Sequence, residues 1–139
     1  MPLLNNKTKV CIYMRTATKK NVEYLERQRQ LLKEHCHKKG YEIVAEISEI
    51  ASGINEHRKG LQRLMNLAKR GEIKKVVVEN ESRLARFGLS YLKAFFSSHG
   101  VDLEIIKKSD NKESRQELMK DLGAVVNFLI KQLEGNYEV

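Results

Sequence analysis

Val10-Cys11-Ile12-Tyr13-Met14-Arg15-Thr16-Ala17-Thr18 is the stretch around which the chain is organised. Val10 to Met14 is a short apolar run with β-branched and aromatic members, the composition of a buried strand. It gives way to Arg15 and small hydroxyl residues, and a helical pattern begins a few residues later. In an α/β sheet the carboxyl end of a strand is where ligands and chemistry sit. An arginine with hydroxyls at such an end points to an anion site, phosphate first. The competing reading is that Thr18 only caps the next helix.

Outward from this strand, the apolar spacing predicts strands and helices in alternation. Residues 21–39 read as a helix with Val22, Leu25, Leu32 and Cys36 on one face, stopped by Gly40. Residues 41–47 read as a second strand with Ile43, Ala45 and Ile47 inward, followed by a loop of turn formers over 49–58. Leu61, Leu64, Met65 and Ala68 give a helix over 59–70 an apolar face. Lys75 to Val78 is short and β-branched, as a central strand should be. A polar segment over 79–88, a helix over 89–99, a strand over 101–106 and a polar loop over 107–113 follow.

The last predicted helix, 114–134, is the longest. Leu118, Leu122, Val125, Leu129 and Leu133 form one stripe, and Met119, Val126 and Ile130 a second. Two stripes exceed what one sheet surface needs, which marks a subunit interface; the alternative is deep burial in its own domain. The whole pattern predicts an α/β fold: three layers, a mainly parallel sheet with helices on both faces, and a long C-terminal helix. One domain over 1–139 is expected, with a core over about 9–113.

Composition narrows the function. The chain has 139 residues, 41% of them apolar, and a formal net charge of +8. Such a balance favours polyanions, nucleic acid first. No run is apolar for long enough to span a membrane, and Met1 to Lys9 lacks a signal-peptide core, so a cytoplasmic protein is expected. Cys11 and Cys36 read as small core residues rather than a disulfide. His35-Cys36-His37 does not read as a metal site, because adjacent helical residues point in different directions. No cofactor is expected.

Loops after the first three strands each carry arginine: Arg15, then Arg58, then Arg83 and Arg86. In a parallel sheet these loops share one edge. The nearby acids are few, namely Glu49, Glu79 and Glu81, so four guanidiniums there read as phosphate ligands rather than structural pairs. Scattered, solvated arginines are the alternative.

These residues resemble the catalytic domain of the serine site-specific recombinases, the resolvases and invertases. The resemblance rests on Tyr13-Met14-Arg15-Thr16-Ala17-Thr18, Leu25-Glu26-Arg27-Gln28, Ala51-Ser52-Gly53 with Arg58-Lys59-Gly60-Leu61, and above all Ser82-Arg83-Leu84-Ala85-Arg86-Phe87-Gly88. Glu117 to Leu122 is similar to the small recombinases carried by insertion sequences. The resemblance covers residues 9 to 135 and implies a metal-free, ATP-free reaction. In it, a serine attacks a DNA phosphodiester and becomes joined to the 5′ end, and four subunits exchange strands. It implies that Arg15, Arg58, Arg83 and Arg86 bind and polarise the phosphate, that Gln28 helps organise the site, and that the long helix mediates dimerisation and lies against DNA. The partners implied are DNA and a homodimer, a homotetramer or a hetero-oligomer with an active recombinase.

Two departures stand out. The position of the family nucleophile is Ala17, and a methyl group cannot attack phosphorus. The acid usually found before Arg-Leu is Ser82. Thr18 is a possible substitute nucleophile, at the cost of a one-residue slip in register. A helix-turn-helix DNA-reading module is also not apparent, so sequence-specific binding would come from a partner or from a longer chain. The expectation is a strand-exchange domain impaired in cleavage. The alternatives are a non-catalytic subunit that binds DNA or a recombinase, a decayed transposase fragment, or an engineered knockout. A small-molecule phosphate binder ranks last, since the Gly-x-Gly-x-x-Gly turn is missing.

Overall fold

The computed structural model describes residues 7–17, 19, 22–51, 58–84, 89–107 and 112–137, with backbone only at 112–118, 121 and 135–137. Thr18, Arg86 and the side chain of Leu118 therefore lie outside the described residues. The element order is β1 (Lys9–Thr16), α1 (Glu23–Lys39), β2 (Glu42–Ile50), α2 (Lys59–Lys69), β3 (Lys75–Val78), α3 (Glu81–Leu84), α4 (Leu89–Ser98), β4 (Asp102–Ile105) and α5 (Lys112–Tyr137). The chain divides into two compact units, residues 1–108 and 109–139.

In the first unit the four strands pair in the order β2-β1-β3-β4, all parallel. Strand β1 is central and its apolar residues Val10 to Met14 are buried. Alternation splits them between the faces. Cys11 and Tyr13 join Leu64 and Ala68 of α2 and Phe96 of α4 on one side; Val10, Ile12 and Met14 join Leu32 and Cys36 of α1 on the other. That is the three-layer arrangement. The two cysteines are free and belong to different cores, with the sheet between them. Burial pushes the Cys11 thiol up to about 12 and the Cys36 thiol up to about 11.

Three local readings change. Strands β1 and β2 run to Thr16 and Ile50, beyond their apolar runs, because the parallel ladder continues through Arg15↔Glu49 and Thr16↔Ile50. Backbone pairing is indifferent to side-chain polarity, so the ladder carries an arginine into the sheet. A register shift between Val10 and Cys11 passes over Val44. It reverses the phase of β2, so Ile43 packs on the α1 side while Ala45 and Ile47 pack on the α2 side. Those three were expected on one face. The polar segment after β3 also contains the short helix α3, whose Ser82, Arg83 and Leu84 are buried.

Helix α1 ends at Gly40, whose φ of 73° suits glycine, and the Tyr41 amide closes the turn onto the Cys36 carbonyl at 2.9 Å. Of the His35-Cys36-His37 run, Cys36 is in the core, His37 is exposed, and His35 Nε2 bonds Glu104. The second unit contains α5, 26 residues long, two residues longer at its start and three at its end than the apolar stripes indicate. Met119, Leu122, Val126, Leu129, Ile130 and Leu133 are exposed, and Val125 is half-buried. No helix among the described residues is long and apolar enough to cross a membrane.

Candidate functional site

The carboxyl edge of the sheet gathers polar side chains that a small protein would ordinarily leave in water. Arg15, Arg58, Arg83, Gln28, Glu79, Asn80 and Ser82 are all buried, Arg15 and Arg83 completely. Buried guanidiniums require partners. Helix α3 supplies them, because four residues of helix leave its last carbonyls without intrahelical donors. Arg15 Nε donates to the Arg83 carbonyl at 2.8 Å and Arg15 Nη2 to the Ser82 carbonyl. Arg58 Nη2 donates to the Leu84 carbonyl. Cationic groups also suit the negative end of a helix. Arg15 Nη1 reaches the Ala51 carbonyl at 2.8 Å, so this one side chain joins the loops after β2 and β3 to the end of β1.

Gln28 of α1 locks the same residue from the backbone side. Its Oε1 accepts the Arg15 amide at 3.1 Å and its Nε2 donates to the Arg15 carbonyl at 2.9 Å. Arg83 Nη1 donates to that carbonyl too, at 3.1 Å. Gln28 and Arg83 are thus both bonded to Arg15, Arg58 reaches the same short helix, and Ala17 is the half-buried residue just beyond the end of β1. Ser82 is placed among them. Its hydroxyl donates to Asn80 Oδ1 at 2.6 Å, while Asn80 Nδ2, buried, has no hydrogen-bond partner among the described residues.

The acids are more deeply involved than the sequence indicates. Glu49, at the end of β2, accepts the Gly60 and Leu61 amides at 2.9 and 3.1 Å and so caps α2 from outside. Its Oε2 lies 3.7 Å from Arg58 Nε and accepts the Tyr13 hydroxyl. Burial pushes the Tyr13 phenol far up despite the pull of Arg58, so Tyr13 remains a donor. Glu79, just past β3, pairs with Arg83 Nε at 3.3 Å and with Arg27 Nη1 at 2.6 Å. Sequence reasoning missed Tyr13, Arg27, Glu49, Glu79 and Asn80 as members of the site. The available signal was position: both acids stand at the carboxyl ends of strands, where the arginines stand.

The arrangement fixes several cationic groups at one edge with their backbones crosslinked. The side chain at residue 17 is a methyl group, which offers no nucleophilic atom. Among the described residues no cluster of His, Cys, Asp and Glu is arranged to hold a metal ion.

Comparison with known proteins agrees with this architecture. Residues 10–134 match the family model described as "Resolvase, N terminal domain". "Putative resolvase R771" of Acanthamoeba polyphaga mimivirus is 35% identical over 132 residues, which are 94% of this chain and 66% of that protein. The chain therefore spans about two thirds of the length of such relatives. Among solved structures, the C-terminal catalytic domain of ISC1926 TnpA, an IS607-like serine recombinase, superposes with a TM-score of 0.87 at 34% identity, over 90% of this chain and 85% of that one. A serine recombinase from Sulfolobus solfataricus gives 0.84 at 30%, over 94% and 89%. With the matched fold, the arginine-lined strand edge and the family model over most of its length, this chain belongs to the resolvase family, as a serine recombinase catalytic domain.

Proposed function

We propose that this chain is a DNA-binding strand-exchange domain whose cleavage chemistry is silenced at Ala17. The observation that carries this reading is the preserved edge itself. Arg15, Arg58 and Arg83 are held by α3 carbonyls, Glu49 and Glu79 at the sheet edge where β1 ends, and residue 17, just past that strand, offers only a methyl group. In the family reaction a serine oxygen forms the new bond to phosphorus, the bond from phosphorus to the 3′ oxygen breaks, and that oxygen leaves as a hydroxyl. The 5′ end stays on the protein as a phosphoserine. Guanidiniums stabilise the charge on phosphorus, one well-placed donor contributing about 3–4 kcal/mol. Arg86 completes the set in this reading. Without the hydroxyl, the site binds and polarises a phosphodiester and goes no further.

The two compact units are read as one catalytic domain with its dimer helix, assembling through the exposed apolar residues of α5. A second reading, a non-cutting subunit that binds DNA or an intact recombinase, is favoured by the same retention of the arginine framework beside two altered positions, Ala17 and Ser82.

The test is a nicked or bulged duplex that traps a cleaved end, incubated with each variant and resolved on a denaturing gel. The chain as it stands should give no covalent adduct. Ala17→Ser should give one, alone or with Ser82→Asp, in a protein supplied with a DNA-reading segment. An adduct formed by the unaltered chain would sink the proposal and point to Thr18. A folded, DNA-bound double variant that still forms none would confine the chain to the binding role.

A further inference from the structure

Arg83 is directed from two sides. On one, its Nη1 donates to the Arg15 carbonyl at 3.1 Å. On the other, its Nε meets Glu79 Oε1 at 3.3 Å, one helical turn back in sequence. Glu79 is itself fully buried at the exit of β3, and its backbone carbonyl accepts the Lys107 amide at 2.8 Å, so the main chain that carries the carboxylate is fixed to the sheet. A buried carboxylate against one guanidinium has no surplus positive charge beside it. Here a second guanidinium supplies that surplus. Arg27 of α1 places Nη1 2.6 Å from Glu79 Oε2 and Nη2 3.4 Å from Oε1, a two-pronged contact. The Arg27 guanidinium also stands 5.4 Å over the Tyr24 ring and is 42% exposed. Among the described residues, Arg27, Glu79 and Arg83 thus form a run of alternating charge from the protein surface to the strand edge.

We propose that Glu79 is a positioning residue of the phosphate-binding edge: it sets the direction of the Arg83 guanidinium, with Arg27 supplying the charge that keeps the carboxylate in place. The inference rests on the phosphate-binding reading given above and names two residues that act through Arg83. It makes a prediction opposite in sign to simple charge counting. Neutralising an acid beside a DNA site raises the net charge and, by Coulomb attraction alone, tightens binding. If Glu79 positions Arg83, removing its charge loosens binding instead.

The experiment is fluorescence anisotropy with a short labelled duplex over a salt series, using the whole chain and the variants Glu79→Gln, Arg27→Met and Arg83→Ala, each checked for folding by circular dichroism, together with NMR of the arginine Nε–H groups, for which Arg83→Lys is also made. Glu79→Gln is expected to bind about tenfold more weakly, the effect of losing one hydrogen bond to a charged group, although its formal charge is one unit more positive. Equal or tighter binding by a folded Glu79→Gln overturns the proposal. Arg27 is partly exposed, so Arg27→Met keeps the measurement possible if Glu79→Gln does not fold. In that variant the Arg83 Nε–H resonance, assigned by its loss in Arg83→Lys, is expected to move before any duplex is added. An unmoved resonance also overturns the proposal. Arg83→Ala separates the two levels of inference. If it binds duplex as well as the unaltered chain does, phosphate binding by Arg83 falls, and the role of Glu79 with it. If it weakens binding while Glu79→Gln does not, only the positioning role falls.

Discussion

Gly60→Ala is the substitution on which local propensity and tertiary structure disagree most clearly. Gly60 is the second residue of α2, and alanine in a helix is favoured over glycine by about 1 kcal/mol. Propensity alone therefore predicts a more stable protein. The structure predicts the reverse. A Cβ at residue 60 would stand 2.6 Å from Glu49 Cδ and 2.7 and 2.8 Å from its two oxygens. Carboxylate ends usually swing aside cheaply, but this one is held by the Gly60 and Leu61 amides, the Tyr13 hydroxyl and Arg58. Hydrogen bonds to a charged group contribute about 1.5–3 kcal/mol each. Losing two of them outweighs the helix gain and leaves a net destabilisation of about 2–5 kcal/mol, and less if they are only lengthened. Urea unfolding of the unaltered chain, Gly60→Ala, Glu49→Ala and the double variant measures this as a cycle. In the Glu49→Ala background the clash is gone, so Gly60→Ala should there become neutral or stabilising by up to about 1 kcal/mol. A Gly60→Ala protein as stable as the unaltered one, or one equally destabilised with and without Glu49, would refute the reasoning that Glu49 is the fixed centre of the β2–α2 connection.

Further outcomes are expected away from this connection. Burial raises the Glu104 carboxyl, yet bonds from His35, Lys75 and Tyr41 prevail and hold it down at about 2. A depressed carboxyl contributes stability above its unfolded value of roughly 4.3, and the contribution disappears as pH falls toward 2. Glu104→Gln should therefore cost about 1–2 kcal/mol at pH 7, after discounting for solvent screening, and little at pH 2, measured by urea unfolding at both. Cys11 and Cys36 should resist a thiol reagent at pH 8 in the native protein and react together in urea, since burial holds both thiols protonated; rapid native labelling of Cys11 would contradict its place in the core. Sedimentation should show self-association that Val125→Glu with Leu129→Glu reduces, as burial of a leucine-sized side chain contributes roughly 1.5–3 kcal/mol. A chain that stays monomeric at high micromolar concentration would count against α5 as an interface.

The sequence by itself determined the layers and the edge. Apolar periodicity identified the strand around Val10 to Met14, the alternation of strands and helices and the long terminal helix, because burial of apolar faces depends on local spacing. The arginines after β1, β2 and β3 could be assigned to one edge because parallel connection leaves every strand's carboxyl end on the same side. The motifs containing Arg15, Gln28, Arg58 and Arg83 carried the family, and Ala17 and Ser82 stood out against it. What tertiary structure decided was how that edge is braced. The sequence indicated too few acids for the guanidiniums, but it could not indicate that the carbonyls of Ser82, Arg83 and Leu84 would serve as their partners. Those carbonyls become available only because α3 is too short to satisfy them, and α3 has no apolar period long enough to announce it. Nor could spacing reveal Glu79 between Arg27 and Arg83, residues 52 positions apart in one pair and four in the other. The bulge at Val44 is of the same kind: one unpaired residue reverses the phase of β2, and only the register of β1 against it shows which side chains reach which core. Local spacing fixes which face is apolar; the partners of buried charge are chosen by whatever the folded chain brings within three ångströms.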